Sequence, residues 1–180
     1  MGIGIITPHG GYRKLKSFQT TTIIYDLTVD FCKRYVKEYR MCDQMVQAAR
    51  SGRQNIAEGC QASGTSKKTE IKLVSVARAS LEELLLDYED YLRQHSAQMW
   101  DRGCEKALEI RQLAYLENRS YKTYRTYMQE PDTAANTGIC LIHQANYLLD
   151  QQLRALEQQF MEQGGFTERL YKKRMQARRS

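Results

Sequence analysis

The chain has 180 residues, 42% of them hydrophobic and 27% charged, with two prolines and a formal net charge of +6. That length suffices for one domain with a substantial core, and the abundance of Leu, Ala, Glu, Gln, Lys and Arg favours an all-α chain. No stretch is long and apolar enough to cross a membrane, and the start MGIGIITPHGG has no basic region followed by an apolar run, which speaks against a membrane-spanning class and leads to the expectation of a cytoplasmic location.

The Met-Gly start is followed by Ile6 where a myristoylated chain needs Ser or Thr. A first helix is predicted from about Ser17, its N-cap, to Lys37, with Ile24, Leu27, Thr28, Phe31 and Tyr35 inward. Basic residues flank it: Arg13, Lys14 and Lys16 before it, and Lys33, Arg34, Lys37 and Arg40 at its end. The second cluster complements the helix macrodipole, so it has a structural reading beside a nucleic-acid one.

The second helix is predicted from about Met41 to Glu58. Met45, Ala48, Ala49, Gly52 and Ile56 recur at helical spacing, small enough for a neighbouring backbone to come close. Gln44, Ser51, Asn55 and Glu58 form a polar line beside them. Gly59 is placed to end this helix, and after a six-residue connection Thr65 or Ser66 is placed to cap the next. That third helix carries Ile71, Val74, Ala77, Leu81, Leu84, Leu85, Tyr88 and Leu92 on one face. A connection so short makes the two helices an antiparallel pair.

A fourth helix, capped by Ser96, is predicted from about Ala97 to Leu116, with Trp100, Cys104, Ala107, Leu108, Arg111 and Ala114 on one side. It reads as an insertion into a bundle. The following RSYKTYRTY interleaves Tyr121, Tyr124 and Tyr127 with Arg119, Lys122 and Arg125. Aromatic beside basic stripes are how single-stranded nucleic acid is gripped, by stacking and phosphate pairing. The plainer alternative is that the tyrosines seal the element against the bundle.

Pro131 and Asp132 open the last long helix, about Thr133 to Gln163, whose Ile139, Ile142, Asn146, Leu149, Leu153, Leu156 and Phe160 make a bundle seam with Asn146 fixing register. Gly164 and Gly165 stop it. The tail, with Thr167 as cap, carries Arg169, Lys172, Lys173, Arg174, Arg178 and Arg179.

Charge is uneven along the chain. Residues 12–78 hold 13 Lys and Arg against 6 Asp and Glu, residues 79–165 hold 8 against 14, and residues 166–180 hold 6 against 1. Two basic regions therefore flank an acidic one, a distribution suited to phosphate or to pairing between subunits.

Chemistry is hard to place. The odd set Cys32, Cys42, Cys60, Cys104 and Cys140 has no CxxC and reads as packing residues. A di-metal carboxylate bundle needs Glu-x-x-His pairs, and His9, His95 and His143 belong to none. Cys140 and His143 share a helix face without an orienting acid. GGYRK and EGCQASG lack the spacing of a phosphate loop. The polar line of Asn55, Glu58, Ser80 and Glu83 is the one constellation with the makings of a site for a small molecule, and the preferred reading is structural, its carboxylates meeting Arg50, Arg53 or Arg78. No metal, no cofactor and no catalytic residue is expected.

The run QMVQAARSGRQNIAEG followed by TSKKTEIKLVSVARASLEELL resembles the bacterial four-helix-bundle family named after the 23S rRNA intervening sequence, over roughly Tyr12 to Leu92. Asn55 to Gly59 and Ala79 to Leu84 carry the two signature strings. LIHQANYLLDQQLRALEQQF and GGFTERLYKKR resemble a C-terminal four-helix-bundle suffix. The resemblance implies an up-and-down bundle that assembles as a homo-oligomer, often a pentameric ring. It also implies a nucleic-acid-associated role, with accessory proteins of diversity-generating retroelements similar in fold, and no established enzyme activity.

The expectation is therefore an all-α four-helix bundle over residues 1–165, with an inserted helix at about 97–127, and a basic tail over 166–180. The expected function is non-enzymatic binding of RNA or DNA, with Arg13, Lys14, Arg50, Arg53 and the tail cations on phosphate and a ring supplying avidity. The alternative is a protein-interaction scaffold whose partner helix docks on the acidic, aromatic middle section.

Overall fold

The computed structural model describes residues 9–178; Arg179 and the Met-Gly start with Ile6 lie outside them. The fold is all-α: helices α1 (Lys16–Tyr35), α2 (Tyr39–Ala62), α3 (Lys67–Gln94), α4 (Glu105–Leu113), α5 (Tyr121–Tyr124), α6 (Pro131–Gln163) and α7 (Phe166–Ala177), with no strand among the described residues. Packing of α1 on α2, α2 on α3, α3 on α6 and α6 on α1 closes a four-helix ring. Contacts of Cys32 with Met45 and Ser17 with Gln152 run neighbours antiparallel, the up-and-down order that short connections impose.

The core is the apolar faces read from the sequence. Leu27, Phe31, Met45, Ile56, Val74, Leu81, Leu84, Tyr88, Ile142 and Leu149 are fully buried. At one end Phe31 meets the rings of Tyr88 and Tyr91 at centroid distances of 4.9 and 4.8 Å. Fully burying a side chain of Phe or Leu size stabilises by about 1.5–3 kcal/mol.

Several boundaries differ from expectation. Ser17 does not cap α1: Leu15 does, and Ser17 lies buried inside the helix with its hydroxyl donating to Gln152 Oε1 at 2.8 Å. Gly59 does not end α2, which runs on to Ala62. Its missing side chain lets α3 approach, since a Cβ there would stand 3.3 Å from Glu70 O. The connection shortens to Ser63–Ser66, with Ser66 accepting from Thr69 N as N-cap of α3.

The inserted helix is half the expected length. Residues 97–104 are not helical, and α4 begins at Glu105 behind Cys104, whose Sγ accepts from Ala107 N. Asn136 of α6 explains this: its Oδ1 accepts from Trp100 N at 2.7 Å and its Nδ2 donates to Gln98 O at 3.0 Å. The Gln98 carbonyl is thus given to a side chain rather than to an N–H one turn on, which competes with a helix starting there. Ser96 sits at φ 54° rather than capping one. Only Ala107 and Ile110 of α4 are buried, and Leu108 is exposed.

The 33 residues of α6 span about 50 Å. Pro131 opens it at a position where a missing N–H costs nothing, and Gly164 at φ 67° closes it. Beyond, α7 starts after Gly165, not at a Thr167 cap, and has no buried residue.

Candidate nucleic-acid interface

One end of the bundle gathers the starts of α1 and α3 and the end of α2, with α6 running past it. Gly10 N donates to Cys60 O, and Ser17 bonds to Gln152, so these termini lie together. Arg13 and Lys14 occupy an exposed 3-10 turn, Tyr12–Lys14, at this end. The exposed Lys16, named with them in the basic flank of α1, joins them, as do the exposed Lys68 and Lys72, which were not singled out from the sequence. A signal was present: Lys67 and Lys68 in KKTEIK stand in the first turn of α3, where the macrodipole is positive and cations oppose it.

The tail cations Arg169, Lys172, Lys173, Arg174 and Arg178 lie on α7, which starts about 16 Å further along α6 than Gln152. Arg50 and Arg53 do not join the pole. They sit two to three turns before the end of α2, Arg50 exposed and Arg53 half-buried with its guanidinium 4.4 Å from the Tyr25 ring centroid.

Few of the described cations are held in ion pairs. Among the described residues the pairs are Arg34 with Asp30, Lys67 with Glu70, Arg78 with Glu82 and Asp150, and Arg93 with Asp90. Arg13, Lys14, Arg50, Arg53, Arg169, Lys172, Arg174 and Arg178 form none with a described carboxylate. The Arg34 pair at the other end of α1 fits the macrodipole reading of that cluster.

The polar line is built differently from expectation. Ser51 and Ser80 hydroxyls lie 2.9 Å apart, and Asn55 Nδ2 donates to Ser51 O and Oγ. Glu58 and Glu83 are exposed and meet none of Arg50, Arg53 or Arg78 within ion-pair distance; Arg78 turns to Glu82 and Asp150 instead. Glu83 and Asp87 line a shallow groove of about 510 Å³ between α2 and α3 with Gln44, Gln47, Ala48 and Ser51. Burial, with Asp90 and Glu83 nearby, pushes the Asp87 carboxyl above the usual range.

The tyrosines of RSYKTYRTY are not a stacking platform. Tyr124 is fully buried, while Tyr121 donates to Asp30 Oδ2 and Tyr127 to Glu109 Oε1, each at 2.5 Å. Burial first, then the carboxylate acceptor, pushes both exposed-side hydroxyls up to about 12. Tyr121 clamps α5 onto α1, and Tyr127, in the 3-10 turn Arg125–Met128 that follows, ties the segment to α4, both as sealing residues.

Cys140 and His143 form no hydrogen bond with each other. Burial pushes the Cys140 thiol up to about 11, opposed by Arg111, so it stays protonated at neutral pH, and burial lowers the His143 imidazole. Among the described residues no three His, Cys, Asp or Glu side chains are grouped to hold a metal ion, and no helix is long and apolar enough to cross a membrane.

Fold and surface thus define an all-helical bundle protein with a cation-rich end at the starts of α1 and α3. The chain belongs to the 23S rRNA-intervening sequence protein family, whose model matches residues 14–110, from the 3-10 turn through most of α4. No curated protein and no solved structure matches it.

Proposed function

We propose that the protein is a non-enzymatic, homo-oligomeric bundle that binds RNA or DNA through backbone phosphates at its cation-rich end and on α7. The observation that carries this reading is electrostatic. Arg13, Lys14 and Lys16 stand at the positive end of α1, whose first turn has no carboxylate, and Lys68 at that of α3, where the first-turn carboxylate, Glu70, is taken up by Lys67. That placement costs stability, which an anionic partner would return. The family's name, which refers to an rRNA segment, supports the same class of partner. Several copies would raise avidity without reading sequence. Filter binding of a structured RNA tests it: retention at low ionic strength that falls steeply with salt is expected, and no retention at low salt overturns it.

One observation favours a second reading, a protein-interaction scaffold. Glu83 and Asp87 in this groove form no ion pair with a described cation, and the groove suits a basic helix of a partner protein. Deleting residues 166–180 separates the two, since phosphate binding weakens while capture of a protein partner is unchanged.

A further inference from the structure

A cleft of about 270 Å³ runs along α1, lined by Arg13, Phe18, Gln19, Thr22, Ile23 and Asp26 on one side and by residues 119–121 on the other. It lies just under the range of about 300–1,000 Å³ typical of small-molecule sites. Its two ends differ in charge. Arg13 and Arg119 mark one end, level with Gln19 and Thr20: Gln19 Nε2 donates to Arg13 O at 2.9 Å, and Arg119 Nη2 donates to Thr20 Oγ1 at 2.6 Å. Asp26 marks the other, six residues beyond Thr20 and so about 9 Å along the axis.

Neither arginine forms an ion pair with a described carboxylate. Arg119 is held in place by Thr20 and packed beside the buried Tyr124 hydroxyl, whose proton its charge loosens against the pull of burial. Its Nη1 and the Tyr124 hydroxyl are both enclosed from solvent, and a guanidinium has five donors to place. Between the charged ends the floor is Phe18 and the buried Ile23, with Thr22 offering a hydroxyl. The cleft therefore presents an exposed arginine beside one held in place, an apolar floor and a carboxylate, in that order.

We propose that this cleft is a nucleotide subsite, taking a phosphate between Arg13 and Arg119, a base against Phe18 and Ile23, and an amine-bearing base edge at Asp26. A phosphate needs charge-assisted donors, and a carboxylate accepts from an exocyclic amine but faces a carbonyl edge unfavourably. The nucleic-acid reading supplies the class of ligand on which this rests; the cleft supplies the place. The nucleotide comes either free or as a unit of a bound strand.

The test titrates the full chain with 5′-CMP, 5′-UMP and inorganic phosphate, followed by NMR amide shifts and calorimetry, beside a labelled single-stranded RNA of about ten nucleotides. CMP is expected to saturate with shifts at Gln19, Thr22 and Ser120, and to bind roughly ten-fold tighter than inorganic phosphate, a step of about 1.4 kcal/mol. The exposed sites allow Arg13→Ala and Asp26→Asn without disturbing the core. The first should weaken CMP about ten-fold and the second should bring CMP down to the level of UMP. Thr22→Trp, which fills the cleft, should abolish binding. If Asp26→Asn and Thr22→Trp weaken RNA in parallel with CMP, the cleft takes a unit of the strand; if they weaken only CMP, it takes a free nucleotide. Absence of saturable CMP binding, or variants that bind it like the parent, overturns the subsite even when RNA is retained in a salt-dependent way. RNA that is never retained while CMP still binds overturns the phosphate-surface reading and leaves the subsite standing.

Discussion

The ring of Tyr88 fills the space that a side chain at position 138 would need: a Cβ on Gly138 would stand 2.9 Å from Tyr88 Cζ. Beyond the ring, the Tyr88 hydroxyl donates to Thr28 Oγ1 at 3.0 Å, so three helices meet at one point. Burial pushes that hydroxyl far up, and it remains a donor at any working pH. Gly138→Ala gains up to about 1 kcal/mol of helix propensity but forces the ring to move, an overpacking cost of about 1–3 kcal/mol. A net loss near 1 kcal/mol is expected, seen as a Tm about 2–4 °C lower. In a Tyr88→Leu background the same change should cost nothing, because the clash is gone. Strict additivity of the two changes in a denaturation cycle would refute this packing account.

Acid should loosen α5 from the bundle. Burial works to raise the Asp30 carboxyl, but the Tyr121 hydroxyl and the Arg34 guanidinium outweigh it and hold the group below its ordinary value. A carboxyl depressed in the folded state contributes stability that is complete above its unfolded value, about 3.9, and is lost as pH falls through the lower folded value. Tyr121→Phe removes one of the two bonds. Urea unfolding should find this variant about 1 kcal/mol less stable at pH 6, at a partly exposed site, with the gap narrowing below about pH 4. A gap that widens on acidification would contradict the assignment.

The four core helices were readable because their apolar residues repeat with the helical period, and burial follows that repeat: Met45, Ala49 and Ile56 on α2, and Val74, Leu81, Leu84 and Tyr88 on α3 are all enclosed. What the sequence hid was set by contacts distant along the chain. Trp100 and Cys104 mimic a helical face, yet Asn136, 36 residues away from Trp100, captures the backbone first. Gly59 reads locally as a stop, and only the arrival of α3 makes it a packing residue. In RSYKTYRTY the period was legible but the direction was not, since the acceptors Asp30 and Glu109 lie on other helices. The cation-rich end was half legible: Arg13 and Lys14 were singled out, whereas the part played by Lys68 depends on which helix termini the fold brings together.

The polar line should prove structural in its serine half and dispensable in its acidic half. Ser80 is buried, bonded to Ser51 and to Val76 O, so Ser80→Ala leaves the Ser51 hydroxyl short of a partner. A loss of about 1 kcal/mol in chemical denaturation is expected. Glu58→Gln and Glu83→Gln touch exposed carboxylates without ion pairs and should shift stability by less than about 0.5 kcal/mol. Equal losses from all three would mean that the line acts as one buried network.

The salt dependence of binding separates α7 from the bundle end. Each phosphate neutralised adds roughly 0.7 to the slope of log K against log salt on single strands and 0.9 on duplex. Lys172 and Arg174 are exposed on a helix that no other helix packs against extensively, so Lys172→Ala with Arg174→Ala should leave the fold and its Tm unchanged. The slope on duplex should fall by about 1.8 if both hold phosphate. Arg13→Ala with Lys68→Ala makes the matching change at the termini of α1 and α3. There a second effect enters: removing cations that oppose the macrodipole should raise stability by about 0.3–1 kcal/mol while binding weakens. Opposite movement of Tm and affinity at the bundle end, beside an unmoved Tm and weaker affinity on α7, is the pattern expected of an anion-binding surface. If the bundle-end pair lowers Tm and leaves affinity intact, those cations support the fold and phosphate binding must be sought on α7 alone.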